Sequence, residues 1–282
     1  MTIETPTLTV AARVWGPADG APVLALHGWL DNAATWDGVA PLLSGLRLVC
    51  VDMPGHGLSQ HVSPGQTYAF VDTVARIHEV TVALGWTKFG VLGHSLGAAV
   101  ASVLAGTFPE RVQRLAVVEG LGPVAEEPKH AAERLARSLT LEHEKRGRGS
   151  ALYPTVEHAQ RRLEIAMAGL TPQSAATLCA RGVKEVEGGF TWRSDPRLRL
   201  PSRMRLTEAQ VLTFLRNISC PTLVVRASDG HPFMPKAHSE RLGAVPHARV
   251  VEHPGGHHLH LDTPQAVAAD IQEHFAPLGG PR

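Results

Sequence analysis

The sequence predicts an α/β fold, a mostly parallel sheet with crossover helices that is interrupted once by a helical insertion. Three observations lead there. Short apolar runs bounded by turn residues, at 22–26, 46–52 and 89–92, have the composition of strands buried on both faces. They alternate with segments of helical spacing, as in Phe70, Val74, Ile77 and Val80, and such alternation implies a parallel sheet. From residue 124 the alternation stops, and it resumes at 207. The expected division is therefore a core of residues 1–123 and 207–282 with a helical cap of residues 124–206.

Residues 8–15 alternate apolar and polar side chains as a strand does, and Gly16-Pro17-Ala18-Asp19-Gly20 is turn chemistry. The run 22–26 empties into His27-Gly28-Trp29-Leu30-Asp31-Asn32, and 33–43 is expected to be helical. Strand 46–52 ends in Met53-Pro54-Gly55-His56-Gly57-Leu58-Ser59. Helix 67–84 stops near Gly85, where strand 89–92 leads into a small-residue helix, 96–107. Phe108-Pro109 closes that helix, and strand 112–119 follows. The insertion is expected to hold helices at 131–144, 155–168 and 171–181, a basic linker at 145–150, an irregular segment at 188–202, and no strand. Helix 207–216, strand 221–225, helix 236–242, strand 248–252 and helix 264–275 complete the core.

Composition sets bounds on function. The 282 residues carry a formal net charge of +1, so neither nucleic acid nor an anionic membrane is an expected partner. The three cysteines have no paired spacing, which fits a reducing compartment. Met1 to Gly16 lacks the basic start and apolar centre of a signal peptide, and no apolar run reaches membrane-spanning length. A cytoplasmic protein with a small-molecule substrate and no cofactor is expected; its oligomeric state is not legible.

The chemistry centres on Gly93-His94-Ser95-Leu96-Gly97, between a buried strand and a helix. In that setting Gly-x-Ser-x-Gly is a nucleophile elbow, which holds a serine at the tip of a sheet in a strained conformation. Acyl transfer by Ser95 also needs a base and a carboxylate to orient it. Pro254-Gly255-Gly256-His257-His258-Leu259-His260 leaves the same sheet edge, and His257 follows two glycines that let the loop approach a serine. Two acids compete. Asp229 ends the strand and turn beginning at Pro221, whereas Glu119 ends a buried apolar strand, where an unpaired carboxylate is costly. The oxyanion donors are expected to be the backbone N–H groups of Leu96 and Trp29. His253, His257, His258 and His260 cluster in sequence, but there is no His-Glu-x-x-His signature, so no metal is expected. Leu135, Leu139, Leu163, Met167, Leu170, Phe190 and Trp192 are candidates for an apolar acyl pocket. The basic run Arg193, Arg197, Arg199, Arg203 and Arg205 has two readings, a contact for an anionic substrate or a solvated face, and suits the solvated face better.

His27-Gly28-Trp29-Leu30-Asp31-Asn32, Asp52-Met53-Pro54-Gly55-His56-Gly57, Gly93-His94-Ser95-Leu96-Gly97 and His257-His258-Leu259-His260-Leu261-Asp262 together resemble the α/β-hydrolase superfamily. Trp29-Leu30-Asp31-Asn32 and Glu119-Gly120-Leu121-Gly122-Pro123 are similar to the serine hydrolase-like proteins within it, as is Asp195-Pro196-Arg197-Leu198. The resemblance implies an α/β-hydrolase fold, with an eight-stranded, mostly parallel sheet and a helical cap inserted between strands six and seven. It implies Ser95 as nucleophile and His257 as base, and gives Asp52 and His56 a role in shaping their turn. The family's usual acid lies where this chain has Gly230, so either Asp229 reaches from a shifted position or Glu119 serves. The expected activity is a carboxylesterase-like serine hydrolase acting on an ester or thioester. A non-catalytic scaffold binding a ligand or partner is the alternative.

Overall fold

The computed structural model describes residues 1–145, 147, 149–167, 169–230 and 235–279. Arg146 and Arg148 of the expected linker, and Ala168 at the expected end of a cap helix, lie outside them. In chain order the first elements are β1 (Thr2–Glu4), β2 (Thr9–Trp15), β3 (Ala21–Leu26), β4 (Leu46–Val51), α1 (Phe70–Ala83), β5 (Phe89–His94), α2 (Leu96–Thr107) and β6 (Val112–Val118). The insertion adds α3 (Ala131–Lys145), α4 (Val156–Ala166), α5 (Pro172–Gly182), β7 (Val183–Val186) and β8 (Gly189–Trp192). The core closes with α6 (Glu208–Arg216), β9 (Thr222–Ala227), α7 (Pro235–Ala244), β10 (Ala248–His253), α8 (Leu259–Asp262) and α9 (Pro264–Phe275).

Eight strands form one sheet in the order β1-β2-β4-β3-β5-β6-β9-β10, antiparallel at β1/β2 and β2/β4 and parallel elsewhere. One face buries Leu24, Val49, Val91 and Val117 against Ile77, Val100, Leu104 and Leu215 of α1, α2 and α6. The other buries Val23, Leu48, Leu92 and Val225 against Val267, Ile271 and Phe275 of α9. Burial on both faces is why these strands are continuous apolar runs. Because β3, β5, β6, β9 and β10 are parallel, all their carboxyl ends open at one edge, and the chemistry-bearing loops collect there.

Three expectations are corrected. The segment 33–43 is two short 3₁₀ turns, Ala33–Trp36 and Ala40–Leu42, instead of a helix. Gly38 between them lies against Pro264, and Pro41 starts the second turn, so a continuous helix is interrupted. The insertion does contain strands: β7 and β8 form an antiparallel hairpin whose turn uses Gly188 at φ 86°. Four-residue strands running straight out of α5 leave little alternation to detect. Strand β1 pairs with β2 beyond the predicted elements.

The cap lies between the sixth and seventh strands of the main sheet and has its own apolar cluster of Ala159, Leu163, Leu170, Ala175 and Leu178. Polar bonds fix it to the core. Arg181 on α5 pairs with the fully buried Asp52 at 2.7 Å, and Asp52 also accepts from the backbone of Ala33 and Leu58. Asn32 donates to the Leu178 carbonyl, and Asp262 accepts from the hydroxyls of Thr171 and Ser174. No described helix is long and apolar enough to cross a membrane.

Candidate active site

Ser95 sits between β5 and α2 with φ 51° and ψ −111°, a conformation that costs a non-glycine residue about 1–3 kcal/mol. Its neighbours explain how the turn closes. A Cβ on Gly93 would lie 2.4 Å from the Gly97 carbonyl oxygen, and one on Gly97 would lie 2.3 Å from that of Leu26. Both glycines are thus required by close backbone approach. Leu96 is the first residue of α2, so its N–H belongs to the helix N-terminal set that lacks intrahelical acceptors.

Glu119 follows β6 with φ 53°, a second strained residue at the neighbouring strand end. Its backbone N–H continues the ladder to the Val225 carbonyl at 2.9 Å. The buried carboxylate is engaged at both oxygens: Oε1 accepts from the Ala227 N–H at 2.7 Å, and Oε2 accepts from His257 Nδ1 at 3.2 Å. A Cβ on Gly230 would lie 2.2 Å from Glu119 Oε2. The absence of a side chain at 230 is therefore what leaves room for Glu119. Asp229 sits differently. It is exposed, its N–H donates to the Gly255 carbonyl, its carboxylate accepts from the Ser228 hydroxyl, and it is not among the described residues lining the cavity.

His94 links the elbow to the histidine loop. Its Nε2 donates to the His257 carbonyl at 2.9 Å, and the two rings stand 4.8 Å apart. Burial pushes His94 down to about 4, so the ring is neutral at neutral pH. His27 donates through Nδ1 to the Gly28 carbonyl and accepts the Met53 N–H at Nε2, which braces the loop carrying Trp29. The half-exposed Trp29 indole donates to the Leu198 carbonyl of the cap at 3.0 Å.

Ser95, Leu96, Trp29, Glu119 and His257 line one cavity of about 2090 Å³ between core and cap. Of the seven apolar cap candidates, Leu163, Met167 and Trp192 line it; Leu170 and Phe190 pack within the cap cluster, while Leu135 and Leu139 are exposed. The basic run is less uniform than a solvated face. Arg197 pairs with Asp195 at 2.6 Å and donates to the Val62, Ser63 and Gln66 carbonyls, and Arg203 pairs with Glu142 at 2.7 Å. Sequence reasoning also missed a buried trio beneath the elbow, Asp31, His94 and His258. Each lay inside a recognised motif, but nothing local to any one of them signals their meeting.

A strained serine at a strand–helix turn, with a carboxylate-bound histidine on the same sheet edge, restricts the families to consider. The family model for the alpha/beta hydrolase fold matches residues 21–264. The chain belongs to the α/β-hydrolase family. Curated relatives include a serine hydrolase-like protein of Danio rerio, 34% identical over 276 residues with 94% of this chain and 84% of the relative covered. Serine hydrolase-like protein 2 of Homo sapiens is 31% identical, covering 93% of this chain and 89% of its own. Among solved structures of the family, a hypothetical protein from Pseudomonas aeruginosa superposes with a TM-score of 0.92 at 40% identity over 98% of both chains. A thioesterase domain from the curacin biosynthetic pathway superposes at 0.85 with 27% identity, over 97% of this chain and 98% of its own.

Proposed function

We propose that this α/β-hydrolase, with residues 124–206 as a cap over a core of 1–123 and 207–282, cleaves a small-molecule ester or thioester through an acyl-enzyme. The observation that carries the reading is the Glu119–His257 contact of 3.2 Å on the cavity that Ser95 also lines. Ser95 Oγ attacks the carbonyl carbon and passes its proton to His257 Nε2, while Glu119 holds the Nδ1–H and stabilises the imidazolium. The N–H groups of Leu96 and Trp29 receive the developing oxyanion. Collapse expels the alcohol or thiol, which takes the proton from His257. Water then loses a proton to the same nitrogen and attacks the acyl carbon; collapse releases the acid as His257 returns that proton to Ser95 Oγ.

The kinship to a thioesterase domain and the apolar cap residues on the cavity support an acyl substrate. The scaffold alternative drew on Gly230, and the space at Gly230 is taken by the Glu119 carboxylate, which favours the enzyme. Wild type and Ser95→Ala are compared on a panel of esters and thioesters and with a fluorophosphonate probe. Wild type is expected to label and turn over, and Ser95→Ala to do neither. Equal behaviour of the two proteins removes the proposal.

A further inference from the structure

Below the elbow lies a group of polar side chains that the acyl chemistry does not use. The Asp31 carboxylate, 2% exposed, stands 3.5 Å from His94 Nδ1 and 3.3 Å from His258 Nε2. His94 and His258 are buried as well, and the three ligand atoms all lie within 4.8 Å of one another. Both Asp31 oxygens and His94 Nδ1 are buried without a hydrogen-bond partner. Such groups are costly in a dry pocket.

The hydrogen-bond pattern defines what the pocket lacks. The His257 carbonyl accepts from His94 Nε2, so that nitrogen carries the hydrogen and Nδ1 of the neutral ring presents a lone pair. This lone pair faces the Asp31 carboxylate, which means two acceptors oppose each other across 3.5 Å. A proton on His258 would answer Asp31 and leave His94 Nδ1 unanswered. A cation between the three atoms answers all of them. The third wall is Gly28, where a Cβ would lie 2.9 Å from both Asp31 Oδ2 and His94 Nδ1. All four residues border the large cavity, which provides a path of entry.

We propose that Asp31, His94 and His258 form a binding site for a divalent transition-metal ion of the zinc class, with its fourth position open to the cavity. The two separations from Asp31, 3.3 and 3.5 Å, match edges of a tetrahedron whose corners lie about 2.1 Å from its centre, the zinc–nitrogen and zinc–carboxylate distance; the two imidazole nitrogens, within 4.8 Å of each other, close to the third edge as the ion draws them in. Two imidazoles and one carboxylate are a donor set for zinc, cobalt or nickel, and a poor one for magnesium or calcium. The outer contact is also of the metal-site kind: His94 gives its other N–H to a backbone carbonyl, which sets the coordinating tautomer. The ligands come from three segments: the loop after β3, the last residue of β5 and the loop before α8. His94 adjoins Ser95 and His258 adjoins His257, so the ion ties the nucleophile loop to the histidine loop.

The test is Co²⁺ binding to the metal-stripped full chain, read by visible absorption and competed with Zn²⁺. Wild type is expected to bind one Co²⁺ with the strong bands of a tetrahedral site, and to melt at higher temperature with the ion. Asp31→Asn and His258→Gln are each expected to weaken binding by about 100-fold or more, and His253→Gln, whose ring pairs with Asp270 instead, to leave it unchanged. Wild type binding no better than His258→Gln overturns the proposal, as does loss of binding in His253→Gln. If Asp31→Asn does not fold, X-ray absorption on Co²⁺-loaded wild type decides: two imidazoles support the site and none overturns it. Binding needs no turnover, so this result stands apart from the hydrolase reading.

Discussion

At the scale of single residues, the question is which carboxylate stands behind His257. Glu119 is buried and bonded to both His257 and the Ala227 N–H, while Asp229 is exposed on its turn. Glu119→Gln keeps the shape and removes the charge, so kcat is expected to fall by about 10⁴-fold with the fold intact. Asp229→Asn is expected to stay within a few-fold of wild type. Steady-state kinetics and circular dichroism on both variants check this, and equal small losses would remove Glu119 from its proposed role. Gly230 gives a second prediction. Gly230→Ala places a methyl where Glu119 Oε2 lies, and is expected to lower kcat by an order of magnitude or more without altering Ser95. Glu119→Ala combined with Gly230→Asp, which moves the carboxylate to the family's usual position, is expected to recover part of the loss.

At the scale of elements, the strands and the elbow were legible because each carries its own local signal. Apolar runs mark buried strands, and the two glycines around Ser95 mark the tight turn. The β7–β8 hairpin was not legible because four residues are too few to show alternation. Choosing between Glu119 and Asp229 was not possible either, since it depends on the adjacency of β6 and β9, whose nearer ends, Val118 and Thr222, are 104 residues apart in the chain (222 − 118) although the strands are neighbours in the sheet. Asp52 and Arg181 make the same point, because a turn-shaping aspartate gave no hint of its cap partner. That pair is the clearest mechanical joint between the two layers. Arg181→Ala leaves the buried Asp52 charge with only its two backbone donors, and is expected to destabilise the protein by about 3 kcal/mol. Urea unfolding measures the loss, and a change under about 0.5 kcal/mol would mean that the joint contributes little.

At the scale of the whole molecule, buried histidines make stability depend on pH. Burial, with the neighbouring His27, lowers His56 to about 3, and burial with Arg114 lowers His274 to about 4. Their folded values lie below the ordinary value near 6.5, so below that pH the unfolded chain binds more protons than the folded one. The stability each contributes is therefore complete above pH 6.5 and is lost as pH falls toward 3–4. At pH 5 the loss is about 2 kcal/mol per histidine. The urea midpoint is expected to drop clearly from pH 7 to pH 5 at unchanged slope, and an unchanged midpoint would contradict the burial argument.

The crowding between Gly230 and Glu119 bears on where the acid of such a site is to be looked for. Strands β6 and β9 open side by side, so the orienting carboxylate has two possible homes. Yet any side chain at 230 collides with Glu119, and a chain with neither acid loses the orientation of His257. On the proposed role of Glu119, a glycine after the seventh sheet strand together with a glutamate after the sixth marks where the acid stands, and a search confined to the later loop would miss it.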